Sequence, residues 1–375
     1  MEPIMSYGTV QAEKMTTESG YSLGAGNASS FKNRIINGDM RIDQRNAGAS
    51  FTITGSQYTL DRWLGFCSPS ATSKFSVQQS STAPAGFTKS LLCTSLSAYS
   101  IGAGEICTMN HLIEGYNIAD LNFGTANAKS FTFSFWVRSS LTGTFSAFFA
   151  NSGQTRWYLA PYTISTADTW EFKTITVPGD TSGTWLTDNN TGLYASFQLS
   201  VGSNFLTSAS TGWSGASTKY GITGQTSLVG TNAATFYVTG VQLEVGTVAT
   251  SWDFRSIGTE LALCQRYYEK QYELATPVGF DFANDQKSWF SSLSGAISIR
   301  YSNSIPFKVS KRASPTLAFW DYNGVSGSWM CGAAGQTETS TAVNGSIVNE
   351  NAIGSVYFNT GNNWAYGFWT ASAEL

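Results

Sequence analysis

The sequence has 375 residues, of which 12% are charged, 14% are aromatic and 37 are glycine, and its formal net charge is −3. That length exceeds the usual single domain, so two units plus an appendage are expected. No lysine or arginine run offers an electrostatic footprint for nucleic acid, and no apolar stretch is long enough to cross a bilayer or to act as a secretion signal.

Residues 1–30 are polar and end in SLGAGNASS, a composition that cannot build a core alone. They read as an arm that orders against a partner. From residue 31, FKNRIINGDMRIDQR leads into YTLDRWLGF, where Trp63 and Phe66 are expected core anchors. Strands are predicted over residues 74–79, 89–96, 106–114, 129–139, 144–151, 156–162, 170–177, 193–201 and 235–245. In FTFSFWVR the alternating apolar set is Phe131, Phe133, Phe135 and Val137; in LYASFQLSV it is Leu193, Ala195, Phe197, Leu199 and Val201. Short strands at this spacing, without intervening helices, predict a mainly β chain with an antiparallel jelly-roll sandwich over residues 31–255. In the last of these strands Phe236 and Val238 share one phase while Val241, Leu243 and Val245 take the other, so Gly240 marks an expected bulge.

Ile257, Leu261, Cys264 and Tyr268 then recur at helical spacing behind Ser256 as N-cap, predicting an amphipathic connecting helix within 256–275. Its apolar stripe needs cover, and a homotrimer interface through those four residues is the expectation. A smaller C-terminal β-domain follows over 276–375, with strands in GAISIRYS, TLAFWDYNG, SVYFNTGN and WAYGFWTASAEL.

The five cysteines show no metal-ligand spacing and read as buried free thiols, and the single histidine, His111, reads as a hydrogen-bonded structural group. No metal or cofactor is expected, since phosphate loops, nucleophile elbows and zinc motifs are all missing. Glycoside hydrolysis needs only two acids, and Asp168 with Glu171, Glu114 with Asp120, and Asp281 with Asp285 are the available pairs. Each reads as solvated loop charge, so no enzymatic activity is expected. What remains is a set of aromatic residues beside amides in loops: Trp185 and Asn189; Trp213; Trp320, Asp321, Tyr322, Asn323 and Trp329; Asn363 and Trp364. Sugars present apolar C–H faces ringed by hydroxyls, which suit an indole plane and a nearby amide. These are the expected ligand contacts.

The stretches NRIINGDMRIDQR, DRW, SFTFSFWVRSS and FYVTGVQLEVGTVATSWDFRSIGTELALCQRYYEK together resemble the jelly-roll module of bacteriophage tail-fibre and related virion proteins, over about residues 33–272. The module is also similar to carbohydrate-binding modules, whose last strand often reads DDVxLE and whose acidic residues can hold calcium. Here the last-strand text is Thr239 to Glu244 without that acidic pair, leaving Asp39 as one good oxygen ligand where a hard cation needs several. PFKVSKRASPTLAFWDYNG and WAYGFWTASAEL are similar to the domain that ends many phage tail proteins, usually a trimerising outer tip. The resemblance implies a non-enzymatic virion structural protein, a tail fibre or tail-tip protein. It would attach to other virion proteins through residues 1–30 and bind host surface glycan. The alternatives are a head decoration, baseplate or adaptor protein without sugar binding, and a polysaccharide-degrading enzyme.

Overall fold

The computed structural model describes residues 15–16, 22–23, 32–279, 288–291, 299–301, 304–332, 339–343, 345–358 and 364–375. Two six-stranded antiparallel sheets form a sandwich. Its strands are β1 (Phe51–Thr52), β2 (Ser56–Tyr58), β3 (Trp63–Cys67), β4 (Phe75–Ser80), β5 (Ser90–Ser95), β6 (Ile106–Glu114), β7 (Phe131–Ser139), β8 (Gly143–Ala150), β9 (Trp157–Ile164), β10 (Glu171–Val177), β11 (Thr191–Val201) and β12 (Thr235–Val245). One sheet runs β9-β8-β11-β6-β3-β2 and the other β10-β7-β12-β5-β4-β1. The alternating apolar set predicted for β7 points into the shared core, as do Leu193, Ala195, Phe197 and Leu199 of β11; Val201 lies past a register shift at Gln198/Ser200 and is not part of that core. The bulge expected at Gly240 is present: φ is 61° there, and the β12–β7 register shifts between Thr239 and Gln242. That single extra residue lets Phe236 and Val238 on one side of it, and Val241 and Leu243 on the other, all face inward.

The NG motif near residue 37 exists to serve the bulged strand. Asn33 donates its amide to Val241 O (3.0 Å) and accepts from Leu243 N (3.0 Å), and Val241 N donates to Gly38 O (2.9 Å). A Cβ on Gly38 would sit 2.2 Å from Val241 O, so glycine is required by this close approach. Asn37 in turn holds the Ile42 and Asp61 carbonyls at 2.8 and 3.0 Å.

His111 sits beneath this motif, with Nε2 within hydrogen-bond distance of Ile36 N (3.2 Å) and Ile36 O (3.0 Å) and its ring edge-on to Trp63. Burial, then the Arg62 guanidinium, hold its pKa well below the ordinary 6.5. The folded chain therefore keeps it neutral while the unfolded chain binds a proton, so this group's contribution to stability is lost as pH falls below about 6.5. Asp61 acts oppositely: burial raises its pKa to about 6, which favours folding on acidification. Replacing His111 with glutamine should remove the histidine's slope, and urea titrations at pH 7.5 and 5.5 on both chains will show a smaller acid-induced loss in the variant.

The predicted helix is shorter than its sequence pattern. It runs Ile257–Gln265 (α1), with Ser256 Oγ accepting from Thr259 N as the cap, and ends where Arg266 begins a turn. Tyr268–Lys270 is a strand instead (β13), paired with Trp364–Ser372 of the C-terminal region. The expected trimer stripe is corrected accordingly. Cys264 is sealed in a small cluster with Ile36, Ile42 and Tyr267, Tyr268 is buried in β13, Leu261 is half-buried against the same cluster, and Ile257 alone of the four is well exposed, at 48%.

The C-terminal β region is organised on the long strand Trp364–Ser372, which also pairs with Ser288–Ser291, Thr316–Trp320 and Ser328–Gly332. Phe319, Trp329, Ile353, Val356 and Trp369 form its separate core. It is fastened to the sandwich by buried charge. Glu114 accepts Arg266 (2.9 and 2.5 Å) and the Tyr267 hydroxyl, while Glu374 accepts Arg45 (3.0 Å) and Arg62. Arg62 reaches that carboxylate from a left-handed turn, φ 69°, with Tyr267 stacked beneath its guanidinium at 3.7 Å.

Candidate functional site

The outer face of the first sheet carries a cleft of about 200 Å³. Two cross-strand rows make its floor. Phe148, Ser196, Asn110 and Leu64 are opposed in register across β8, β11, β6 and β3; beside them Gln198, Thr108 and Phe66 are opposed across β11, β6 and β3. These residues are the outward half of the same period-2 pattern whose inward half fills the core. Phe66, expected as a core anchor, belongs here: in β3 it is Trp63 that faces inward, and Phe66 is half-buried in the cleft.

Tyr220 and Gln154 close one wall from loops. The Tyr220 hydroxyl donates to Gln154 Oε1 (2.6 Å), and its ring packs at 5.3 Å from both Phe148 and Phe205. Burial, followed by the neighbouring Tyr194, pushes the Tyr220 phenol above its ordinary pKa of 10, so it is a neutral hydrogen-bonding group. On the floor, Asn110 and Thr108 satisfy each other (2.9 Å). Ser196 Oγ and Gln198 Oε1 do not: both are buried and have no hydrogen-bond partner within the protein. An orphaned buried acceptor costs about 1–3 kcal/mol, which a ligand hydroxyl would relieve. None of the lining side chains is charged.

The expected sugar contacts lie elsewhere. Trp185 and Trp213 do come together, ring centroids 5.1 Å apart, but they pack around Phe123 in the sandwich core. Trp185 is 8% exposed, with its N–H on Ser182 O; Trp213 is half-buried, with its N–H on Pro178 O (2.6 Å). Asn189 is engaged by the C-terminal region, donating to Arg312 O (2.9 Å) and accepting from Arg312 (2.8 Å). Trp329 is wholly buried on Phe368 O, and Asp321 is a buried cap for the turn at Asn323 and Val325. Trp185, Asn189, Trp329 and Asp321 are therefore corrected to structural roles. Trp320 packs half-buried beside Tyr272, Tyr322 stacks on Tyr366, and Asn323 stands exposed at that turn. Asn363 and the Trp364 side chain lie outside the described residues.

Two of the three acid pairs are similarly occupied, and Glu114, expected as solvated loop charge, is instead buried on Arg266 and Tyr267. Asp168 meets Arg138 (3.2 Å), Glu171 meets Lys173 (2.6 Å) and two backbone N–H groups, and Asp120 meets Arg34 (2.7 Å). Asp281 and Asp285 lie outside the described residues. Asp39 pairs with Arg41, and no cluster of three or more metal-ligating side chains occurs among the described residues.

No family model matches the chain, and no curated protein matches it in sequence. Distant structural similarity reaches a phage tailspike domain and carbohydrate-binding modules. The enzymatically active domain of bacteriophage CBA120 tailspike protein 4 is 12% identical with a TM-score of 0.33; the match covers 58% of this chain and 22% of that one. A family 11 carbohydrate-binding module from Clostridium thermocellum, in complex with a mixed-linked tetrasaccharide, is 9% identical with a TM-score of 0.27, covering 53% of this chain and 96% of that one. A CBM4 module is 14% identical with a TM-score of 0.27, covering 49% and 95%.

Proposed function

We propose that the protein is a non-enzymatic virion component of the tail-fibre or tail-tip kind that binds an uncharged surface glycan in the outer-face cleft. The observation that carries the sugar site is the uncharged cleft in which Ser196 Oγ and Gln198 Oε1, both without a protein hydrogen-bond partner, lie among the lining rings of Phe148, Phe66 and Tyr220. A pyranose ring offers both complements, hydroxyls for the acceptors and C–H faces for the rings. The virion assignment is supported by the tail-fibre-like stretches over residues 33–272. In this reading the chain is a homotrimer docked to the particle through residues 1–30. Three weak sites on one rigid head then bind a repetitive surface far more firmly than one. The engaged acid pairs favour binding over hydrolysis.

Titration calorimetry with neutral and acidic oligosaccharides tests the site. Tyr220→Ala and Gln198→Leu should each weaken binding of a neutral glycan at least about tenfold, a loss of roughly 1.4 kcal/mol. Absence of neutral-glycan binding by the wild-type chain would count against the cleft. Light scattering tests the assembly, where a monomer at micromolar concentration would count against the trimer.

A further inference from the structure

We propose that Cys67 and Cys107 are a dithiol pair that closes to a reversible disulfide when the chain meets an oxidising thiol–disulfide environment. The two residues are direct register partners across β3 and β6. The next pair along, Ser68 and Ile106, carries the ladder contact, with Ser68 N donating to Ile106 O (2.9 Å) and Ile106 N to Ser68 Oγ (2.9 Å). Hydrogen-bonded and non-hydrogen-bonded pairs alternate in an antiparallel ladder, so Cys67 and Cys107 occupy a non-hydrogen-bonded site, where opposed Cα atoms stand about 4.5 Å apart. That separation lies inside the span of about 4.4–6.8 Å that a disulfide bridges without backbone movement. Both side chains already point to the same side, with Sγ atoms 3.3 Å apart, and both are thiols in this structure. Of the remaining cysteines, Cys93 lies in the same core on the facing sheet, whereas Cys264 and Cys331 belong to other clusters.

The chemistry needs a disulfide oxidant of small size, for which oxidised glutathione serves. One protein thiolate attacks a glutathione sulfur and releases one glutathione thiolate. The second protein thiolate then attacks the mixed disulfide, forming the Cys67–Cys107 bond and releasing the other. Two electrons pass to glutathione, and the two thiol protons go to solvent and the departing thiolates. Both sulfurs are buried, so exchange waits on local opening of the strand ends at Cys67 and Ile106. The hydrogen bond with Cys67, followed by burial, raises the Cys107 thiol above its ordinary pKa, which keeps it protonated and slows the exchange, so closure is slow and needs alkaline pH. The bond would lie one register step from Phe66 and Thr108, both lining the cleft, and would fasten that end of its floor.

The full-length chain, freed of reductant, should be incubated with oxidised glutathione at mildly alkaline pH, then quenched with acid and denatured. The free-thiol count should fall from five to three, with a peptide map joining the segments that hold Cys67 and Cys107. Cys93→Ser should still lose two thiols, and Cys107→Ser should form no bond between Cys67 and another cysteine of the chain. Retention of all five thiols, a bond to Cys93, or a bond between chains overturns the proposal, and the wild-type result stands even if a variant fails to fold.

Discussion

Replacing Glu374 with alanine should destabilise the protein by about 3–5 kcal/mol, because it leaves buried positive charge without its counterion. Two guanidiniums converge on this carboxylate from the sandwich: Arg45 at 3.0 Å, and Arg62, whose side chain is 1% exposed. Each is stacked on a tyrosine of the segment that follows α1, Arg45 over Tyr268 and Arg62 over Tyr267, both at 3.7 Å. Those rings cover the cations from water but cannot replace the negative charge. The C-terminus is held at the same place, with the Tyr58 hydroxyl on Leu375 O (2.9 Å) and Arg312 on the Ala373 and Glu374 carbonyls (2.6 Å each). Removing Glu374 therefore strikes the seam between the sandwich and the C-terminal region. Urea unfolding followed by circular dichroism should show the loss, and Glu374→Gln, which keeps a hydrogen-bonding group, should lose less. The exposed pair Arg138–Asp168 is the control: Asp168 is 58% exposed, and its replacement with asparagine, which suits its left-handed backbone (φ 55°), should cost about 0–1 kcal/mol.

What the sequence reveals here follows the reach of its interactions. Alternation in β7 and β11 is local, so the inward faces are legible from eight or nine residues of text. The Gly240 bulge is legible for the same reason, as a phase slip within one strand. The fate of Tyr268 is not. Ile257, Leu261, Cys264 and Tyr268 do sit at helical spacing, but Tyr268–Lys270 is claimed by pairing with Thr370–Ser372, about a hundred residues later. Local spacing cannot report a partner that distant. The cleft is illegible for a related reason. Tryptophans beside amides in loops fit sugar chemistry locally, yet Trp185 and Trp329 are core, and the floor of the cleft is assembled from one or two outward residues on each of four strands. Its trace in the text is slight: the outward members of β11, Tyr194, Ser196 and Gln198, are aromatic or uncharged polar where a solvated face would carry charge.

Trp63→Ala should be the most damaging change inside the sandwich, at about 3–5 kcal/mol. The indole is fully buried between the edge of His111 (5.2 Å) and the face of Phe197 (6.2 Å), and Phe197 in turn contacts Phe133, Phe135 and Phe236 from the facing sheet. Truncation leaves a cavity where the two sheets meet, and close-packed neighbours on regular strands have little freedom to collapse into it. A polar term adds to the packing term. Trp63 Nε1 donates to Asn37 O (3.1 Å), and the amide of Asn37 holds the Ile42 and Asp61 carbonyls, so the indole anchors the NG motif that locks onto the bulge of β12. Trp63→Phe separates the two contributions, since it keeps most of the ring volume but abandons the Asn37 carbonyl. Its cost should fall to about 1–3 kcal/mol, the range for a buried polar group left unpaired. Thermal and urea denaturation of the two variants should therefore rank alanine well below phenylalanine, and an equal loss from both would mean that the hydrogen bond to Asn37, not the packing of the indole, secures the centre of the sandwich.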